Sequence, residues 1–434
     1  MTTKQIFAVV LFMILFEKTT FAQPDVITIP GLGHIAYGIS PTGKYVTGID
    51  GSGGAFLYKV AGGAFTNIGG DDAYAVTDNG KVVGTYRDPA HQFNGISFPI
   101  AGFYENGSWS TPGLIPGMVP FSSSQYSYGF GISDDGSALC GMVWENAGKT
   151  RAFKWDATNL FTILKDQNQS AKAMCLSGDG KVAGGWVQGN NRLPYIWKPD
   201  SVLLDPTVGE VHSINYNGSR VAGVANGSAF ILDSINGMQY IPTIVGANNA
   251  NAWGVSDSGI VVGNFDSGSL PPYTKTAFIY IPGQGMLNLR DFLIQNNATN
   301  VPPALDVALG ISRDGKYIIA YGGFPRTNYI IKLDSLSTGI YTNHRIDESI
   351  LIHPNPVNNG IINMTGQLLN NSKIYLTDVT GREVYSGEIA ISKTGEFTFS
   401  IDLNKDVNSK CPPGTYFITM ISSGNKITRL VIVK

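Results

Sequence analysis

The sequence predicts an all-β chain, a seven-bladed β-propeller followed by a small Ig-like β-sandwich, on three observations. First, one phrase recurs seven times: a small residue, a hydrophobic residue, Ser or a substitute, two turn residues, Gly, then a β-rich run closing on Gly or Ala. The copies start at Gly38, Ala75, Gly131, Cys175, Ser213, Gly254 and Gly310. Their turn glycines (Gly43, Gly80, Gly136, Gly180, Gly218, Gly259 and Gly315) are 37, 56, 44, 38, 41 and 56 residues apart. A period near 40 residues with four short strands per unit marks a propeller. Second, the 434 residues include 53 Gly and 11% aromatics but only 14% charged residues, against about 25% in ordinary soluble domains. That is the balance of a turn-rich β-protein with ample core. Third, the phrase stops after Leu336, and a different alternation of strands and Gly, Pro and Asn turns runs to the C-terminus.

The elements follow in order. Lys4, the apolar run Ile6–Phe16 and the small-residue positions of Thr20-Phe21-Ala22 read as a secretory signal peptide over 1–22, cleaved between Ala22 and Gln23. No other stretch is apolar and long enough to be a transmembrane helix. A net charge of −2 provides no electrostatic footprint for nucleic acid.

Residues 23–336 form the predicted propeller. In each copy the small-hydrophobic-Ser triplet starts an innermost strand, and the turn residues reverse it. The turn glycine takes the left-handed conformation that follows a type I turn. A second strand returns. A third is marked by AFLY at Ala55, GFY at Gly102, AFKW at Ala152, PYIW at Pro194, AFIL at Ala229, AFIY at Ala277 and YIIK at Tyr329. Fourth strands are expected at Phe65–Ile68, Trp109–Ile115, Phe161–Leu164, Val202–Leu204, Tyr240–Ile244 and Met286–Leu289. None follows Tyr329–Lys332; Val26–Gly31, ahead of the first copy, supplies the seventh and closes the ring. A bulky residue precedes each copy: Tyr37, Tyr74, Phe130, Met174, His212, Trp253 and Leu309. These share one face, suited to packing between neighbouring blades, with a ligand-stacking ring at a channel mouth as the alternative.

Few residues point to chemistry. Cys140, Cys175 and Cys411 are not a disulfide framework; Cys140 and Cys175 fit buried apolar side chains, with one bridge between them as the alternative. The five histidines lack zinc spacing. The turn positions vary through Pro, Thr and Arg, which suits turn geometry and not calcium ligation. No catalytic residue, metal ligand or cofactor is assigned. The long interruptions, Tyr86–Ile100 with Phe121–Tyr128 and Phe265–Lys275 with Phe292–Leu305, are the candidate ligand loops. Within them, Gln125, Tyr126, Tyr128, Tyr273, Asn296 and Asn297 are the candidate contacts to an extracellular glycan or protein. A propeller glycoside hydrolase or polysaccharide lyase is the alternative, because paired carboxylates can come from distant loops. Asp233-Ser234-Ile235 and Asp334-Ser335-Leu336 match a short O-glycosylation pattern.

The repeated phrases resemble the HAF-repeat family of extracellular bacterial proteins over about Asp25 to Leu336. That resemblance implies an extracellular propeller and supplies no catalytic motif. After a linker at 337–349, residues 350–434 resemble the C-terminal sorting domain of the type IX secretion system. The resemblance rests on Pro354-Asn355-Pro356, the Asp378-x-x-Gly381-Arg382 hairpin, Pro413-Gly414-x-Tyr416 and the terminal Lys434. It implies the type IX machinery as partner, passage through the periplasm of a Gram-negative bacterium, and secretion or attachment at the outer surface.

Overall fold

The computed structural model describes residues 24–333 and 351–434, apart from 32, 166–167, 199–200, 206, 235, 268–273, 359, 368–371, 379–381, 390–395, 408–410 and 423–424. The signal cleavage site, the linker at 337–349, Tyr273, Gly381 and the second O-glycosylation pattern lie outside the described residues. The chain divides into two compact units, Met1–Ile340 and Tyr341–Lys434. Among the described residues both are all-β apart from one helix, Leu289–Gln295.

The first unit is propeller-like. Among the described residues it holds seven four-stranded antiparallel sheets. Six are consecutive meanders, such as Ile35–Ile39, Tyr45–Ile49, Ala55–Lys59 and Ala64–Gly69. The seventh takes Val307–Ile311, Tyr317–Gly322 and Thr327–Lys332 from the end of the unit, and its outermost strand, Asp25–Ile29, from the start. Asp25 pairs with Lys332 and Ile29 with Asn328, so the N-terminal strand stands where the sequence placed it. Two fourth strands differ from expectation. Ser108–Ser110 is shorter, and Gly237–Tyr240 ends where Tyr240–Ile244 was expected to begin, because Pro242 interrupts the ladder. The helix was also unexpected. Asn288 caps it through Arg290 N and Asp291 N, and Leu289, Phe292 and Leu293 are buried at helical spacing.

The seven turns share one chemistry. Every turn glycine has φ between 71° and 86°, and its N–H donates to the carbonyl three residues back. The buried Ser, or Thr77 or Asn215, at that position accepts from the returning strand, as Ser133 Oγ does from Ala138 N at 3.0 Å. The carboxylates at the third turn position are engaged locally: Asp135 accepts from Ser133 and Ser137. Successive turns are also bonded to each other. Thr42 N donates to Asp78 Oδ1, Asp134 N to Gly178 O, Asp179 N to Tyr216 O, Tyr216 N to Asp257 Oδ1, Asp257 N to Arg313 O and Asp314 N to Pro41 O. These bonds run from the third turn through the seventh and back to the first and second.

The second unit has a three-stranded sheet (Leu351–His353, Ile361–Gln367, Glu396–Asp402) and a four-stranded one (Glu383–Ile389, Ser372–Asp378, Gly414–Ser422, Asn425–Val433). Both contribute to one core: Ile362, Met364 and Ile401 from the first, Ile374, Leu376 and Ile418 from the second.

Candidate functional site: the mouth of the central channel

The innermost strands of all seven sheets line one central space of about 150 Å³. Each strand carries a β-bulge at the same place: between Ala36 and Gly38, Ala73 and Ala75, Gly129 and Gly131, Ala173 and Cys175, Val211 and Ser213, Ala252 and Gly254, and Ala308 and Gly310. The extra residue is the bulky one before each phrase. A bulge re-aims a side chain, and here it turns Tyr37, Tyr74, Phe130, Met174, His212, Trp253 and Leu309 onto the channel. The glycine that closes the phrase, or in the fourth copy the one after it, has its reason in the same bulge. A Cβ on Gly48, Gly84, Gly141, Gly185, Gly223 or Gly263 would meet a carbonyl oxygen of the bulged strand at 1.9–2.1 Å. In the seventh sheet Ala320 stands at that position.

The ring residues pack on each other and stay half-buried, except Phe130, which is buried. Tyr37 and Tyr74 centroids are 5.1 Å apart, Tyr74 and Phe130 4.9 Å, and His212 and Trp253 stack at 4.1 Å and 15°. They pack between neighbours, as expected, and they also face the channel.

Two residues upstream, nearer the mouth, stand Ile35, Asp72, Tyr128, Lys172, Glu210, Asn251 and Val307. Three of the seven are Asp, Glu or Lys, in a chain poor in charge. Glu210 accepts from Arg192 Nη1 at 2.6 Å and lies 3.7 Å from His212 Nε2. Burial works against that carboxylate, but these neighbours hold its pKa below the usual range. His212 Nδ1 is 2.9 Å from Ala252 O; a carbonyl only accepts, so Nδ1 carries the proton. Trp253 Nε1 donates to Asn264 Oδ1 at 2.9 Å. Beside this group a cleft of about 580 Å³ is lined by Arg192, Glu210, His212, Trp253 and the amides of Gln188, Asn191 and Asn251.

Asp72 is 8% exposed, and its Oδ1 has no hydrogen-bond partner. Burial, with Asp71 adding repulsion, pushes its pKa up to about 7. An unfolded Asp titrates near 4, so the native state holds the extra proton between about pH 4 and 7. Stability from this group is fully present below about pH 4 and is lost as pH rises through 7. Asp72→Asn is therefore expected to stabilise the first unit by about 2–4 kcal/mol at pH 8 and by almost nothing at pH 4. Denaturant melts of both proteins at the two pH values check this.

The far end of the channel is crossed by Arg313. Its Nε donates to Asp134 Oδ1 at 2.6 Å, Nη1 to Ile214 O at 2.7 Å and Nη2 to Leu176 O at 3.3 Å. One turn residue of the seventh sheet thereby ties the third, fourth and fifth.

The loop residues expected to touch a ligand fall differently. Tyr126 is fully buried: its hydroxyl accepts from Ile115 N at 2.7 Å and its ring packs on Phe98, so it props the 111–126 loop and is not a ligand contact. Gln125 is half-buried beside it. Tyr128 is at the mouth, with its hydroxyl donating to Ser124 O at 3.2 Å. Asn296 ends the helix through Nδ2 to Phe292 O, and Asn297 has φ 55° in the turn that follows. The same loop holds the N-terminal strand, with Thr299 N donating to Pro24 O and Asn300 Nδ2 to Asp25 Oδ1. Cys140 is buried and Cys175 half-buried with free thiols, and burial pushes the Cys140 pKa up to about 12.

In the second unit, Pro354-Asn355-Pro356 abuts the last strand: Asn355 Oδ1 accepts from Ile432 N at 2.9 Å, and Lys434 N donates to Val357 O at 3.0 Å. Arg382 binds Asp378 through Nε at 2.9 Å and through its backbone N. Gly414 opens a strand, and the buried Tyr416 donates its hydroxyl to Pro412 O at 2.7 Å.

Comparison with known proteins places this second unit. Residues 351–434 match the family model described as secretion system C-terminal sorting domain. No curated protein matches the chain. Similar solved structures include an oligogalacturonate lyase from Vibrio parahaemolyticus (10% identity, 71% of this chain and 91% of that one, TM-score 0.43). Others are a putative TolB from Agrobacterium tumefaciens (13%, 50% and 87%, 0.36) and PorZ, a surface component of the type IX secretion system of Porphyromonas gingivalis (11%, 91% and 74%, 0.29). At these identities and scores no activity passes from them to this chain. The C-terminal unit is a type IX secretion sorting domain, which indicates secretion and placement at the outer cell surface.

Proposed function

We propose that the first unit is a seven-bladed β-propeller of the HAF-repeat kind that binds an extracellular glycan or protein at its channel mouth, without turnover. Export begins at a signal peptide over 1–22, passes through the periplasm and ends with the type IX machinery acting on an Ig-like sorting sandwich. The observation that carries the binding reading is the half-buried ring. Seven bulges hold aromatic and other bulky side chains at an open end of the channel, beside a cleft lined with amides and an Arg–Glu pair. Aromatic faces take the apolar faces of sugars, and amides and carboxylates take their hydroxyls. A glycan is the ligand this chemistry suits best.

The test is a glycan array with the full chain and its Trp253→Ala variant, run beside a polysaccharide depolymerisation screen. Trp253→Ala is expected to weaken the best array hit at least about tenfold, as loss of a central aromatic contact does. Depolymerisation by the wild type that Glu210→Gln abolishes would instead establish a hydrolase or lyase.

A further inference from the structure

Three basic residues near the mouth differ in what they meet. Arg87 is paired with Asp71 at 3.1 Å, and Arg192 with Glu210 at 2.6 Å. The Lys172 ammonium makes neither an ion pair nor a hydrogen bond among the described residues. Its ammonium sits 3.9 Å from the centroid of the Phe130 ring, at the level of Asp72, Tyr128 and Glu210. Its side chain is half-buried.

A cation withdrawn from water costs free energy unless something answers its charge. The face of Phe130 answers part of it. Among the neighbouring charges Glu210 favours the ammonium most, but Glu210 is shared with Arg192, whose own charge opposes it, and Asp72 contributes least. Arg326, in the hairpin loop of the seventh sheet on the same end of the unit, repeats the arrangement. It lies 4.5 Å over the Tyr321 ring and makes no ion pair among the described residues. In a chain of net charge −2, two cations at this end of the unit thus have no ion-pair partner of their own among the described residues.

Resting on the binding reading above, we propose that the mouth selects glycans bearing an anionic substituent, a carboxylate or a sulfate ester, and that Lys172 takes that group. The sugar ring then lies against the aromatic ring of the channel. Its hydroxyls donate to Glu210, and the ammonium gains a counter-ion of its own.

The test compares charged and neutral forms of one backbone, using the full chain in 0.15 M NaCl at pH 7.5. Alginate is set against its propylene glycol ester, and dextran sulfate against dextran. Wild type is expected to bind the charged member of at least one pair about tenfold tighter or more. Lys172→Met is expected to erase that preference and Lys172→Arg to keep it, both with the wild-type melting profile. A preference in the alginate pair identifies a carboxylate, and one in the dextran pair a sulfate ester. Equal wild-type binding of charged and neutral members overturns the selection but leaves the binding reading standing. A preference that survives Lys172→Met overturns the role of Lys172. Binding to none of the four probes overturns both.

Discussion

Deleting Pro24–Pro30 is expected to lower the melting temperature of the first unit by about 10 °C and to make it self-associate. The strand Asp25–Ile29 supplies the outermost strand of the seventh sheet, in register from Asp25 with Lys332 to Ile29 with Asn328. Val26 and Ile29 are 4% and 1% exposed, and they pack into two different cores: Val26 with Leu293 and Ile331, Ile29 with Phe56 and Ile330. Burying two such side chains contributes about 3–6 kcal/mol, a large part of the roughly 5–15 kcal/mol that holds a domain folded. The loss spreads further, because Thr299 and Asn300 give up Pro24 and Asp25 and the loop after the helix loses its anchor. The deletion also bares Thr327–Lys332 as an unpaired edge, which invites pairing with a second chain. Calorimetry and light scattering on the deleted protein check both effects. Ile29→Asn, which keeps the backbone ladder, is expected to lower the melting temperature without the association. An unchanged melting profile in the deletion would refute the strand's part in closing the unit.

That seam was legible in the sequence because it is a matter of counting: six fourth strands follow their copies, and a seventh precedes them all. The turns were legible for a local reason. Ser, two turn residues and Gly fix a reversal through contacts within five residues, so the pattern survives wide variation at Thr42, Asp135 or Arg313. What depends on distant partners was not. Arg313 reads as one more turn residue, yet its nearest carboxylate, Asp134, is 179 positions away. Tyr126 reads as an exposed aromatic in a long interruption; only the fold around Phe98 and Ile115 shows it to be core. The helix did leave a trace, in the Asn288 cap and the helical spacing of Leu289, Phe292 and Leu293, but a four-strand template hides it. The mouth was half legible. The ring residues could be named from their place in the phrase, whereas their direction depends on a bulge that pairs two residues of one strand against one of the next. Lys172, Asp72 and Glu210 shared a signal that could have found them: charge at one fixed position of a repeat otherwise poor in it.

Gly141→Ala is expected to cost about 2–4 kcal/mol, more than a methyl group placed in most buried sites. The ideal Cβ at this position lies 1.9 Å from Tyr128 O and 3.0 Å from the Phe153 ring, so backbone and not a flexible side chain must yield. The bulge between Gly129 and Gly131 is what presses that carbonyl inward, and it is also what presents Phe130 to the channel. Relief of the clash therefore requires the bulge to flatten. Flattening draws Phe130 away from Tyr74 and removes the ring over which Lys172 sits. Two readouts separate this account from a simple packing defect: the melting temperature falls, and glycan binding at the mouth falls with it under conditions where the protein remains folded. Gly136, only five residues before it, offers the contrast. Gly136→Ala strains a turn at φ 74° at the other end of the channel, and is expected to lower stability while leaving binding at the mouth unchanged. Equal retention of binding by both variants would show that the closing glycine serves strand packing alone and that the bulge does not set the ring.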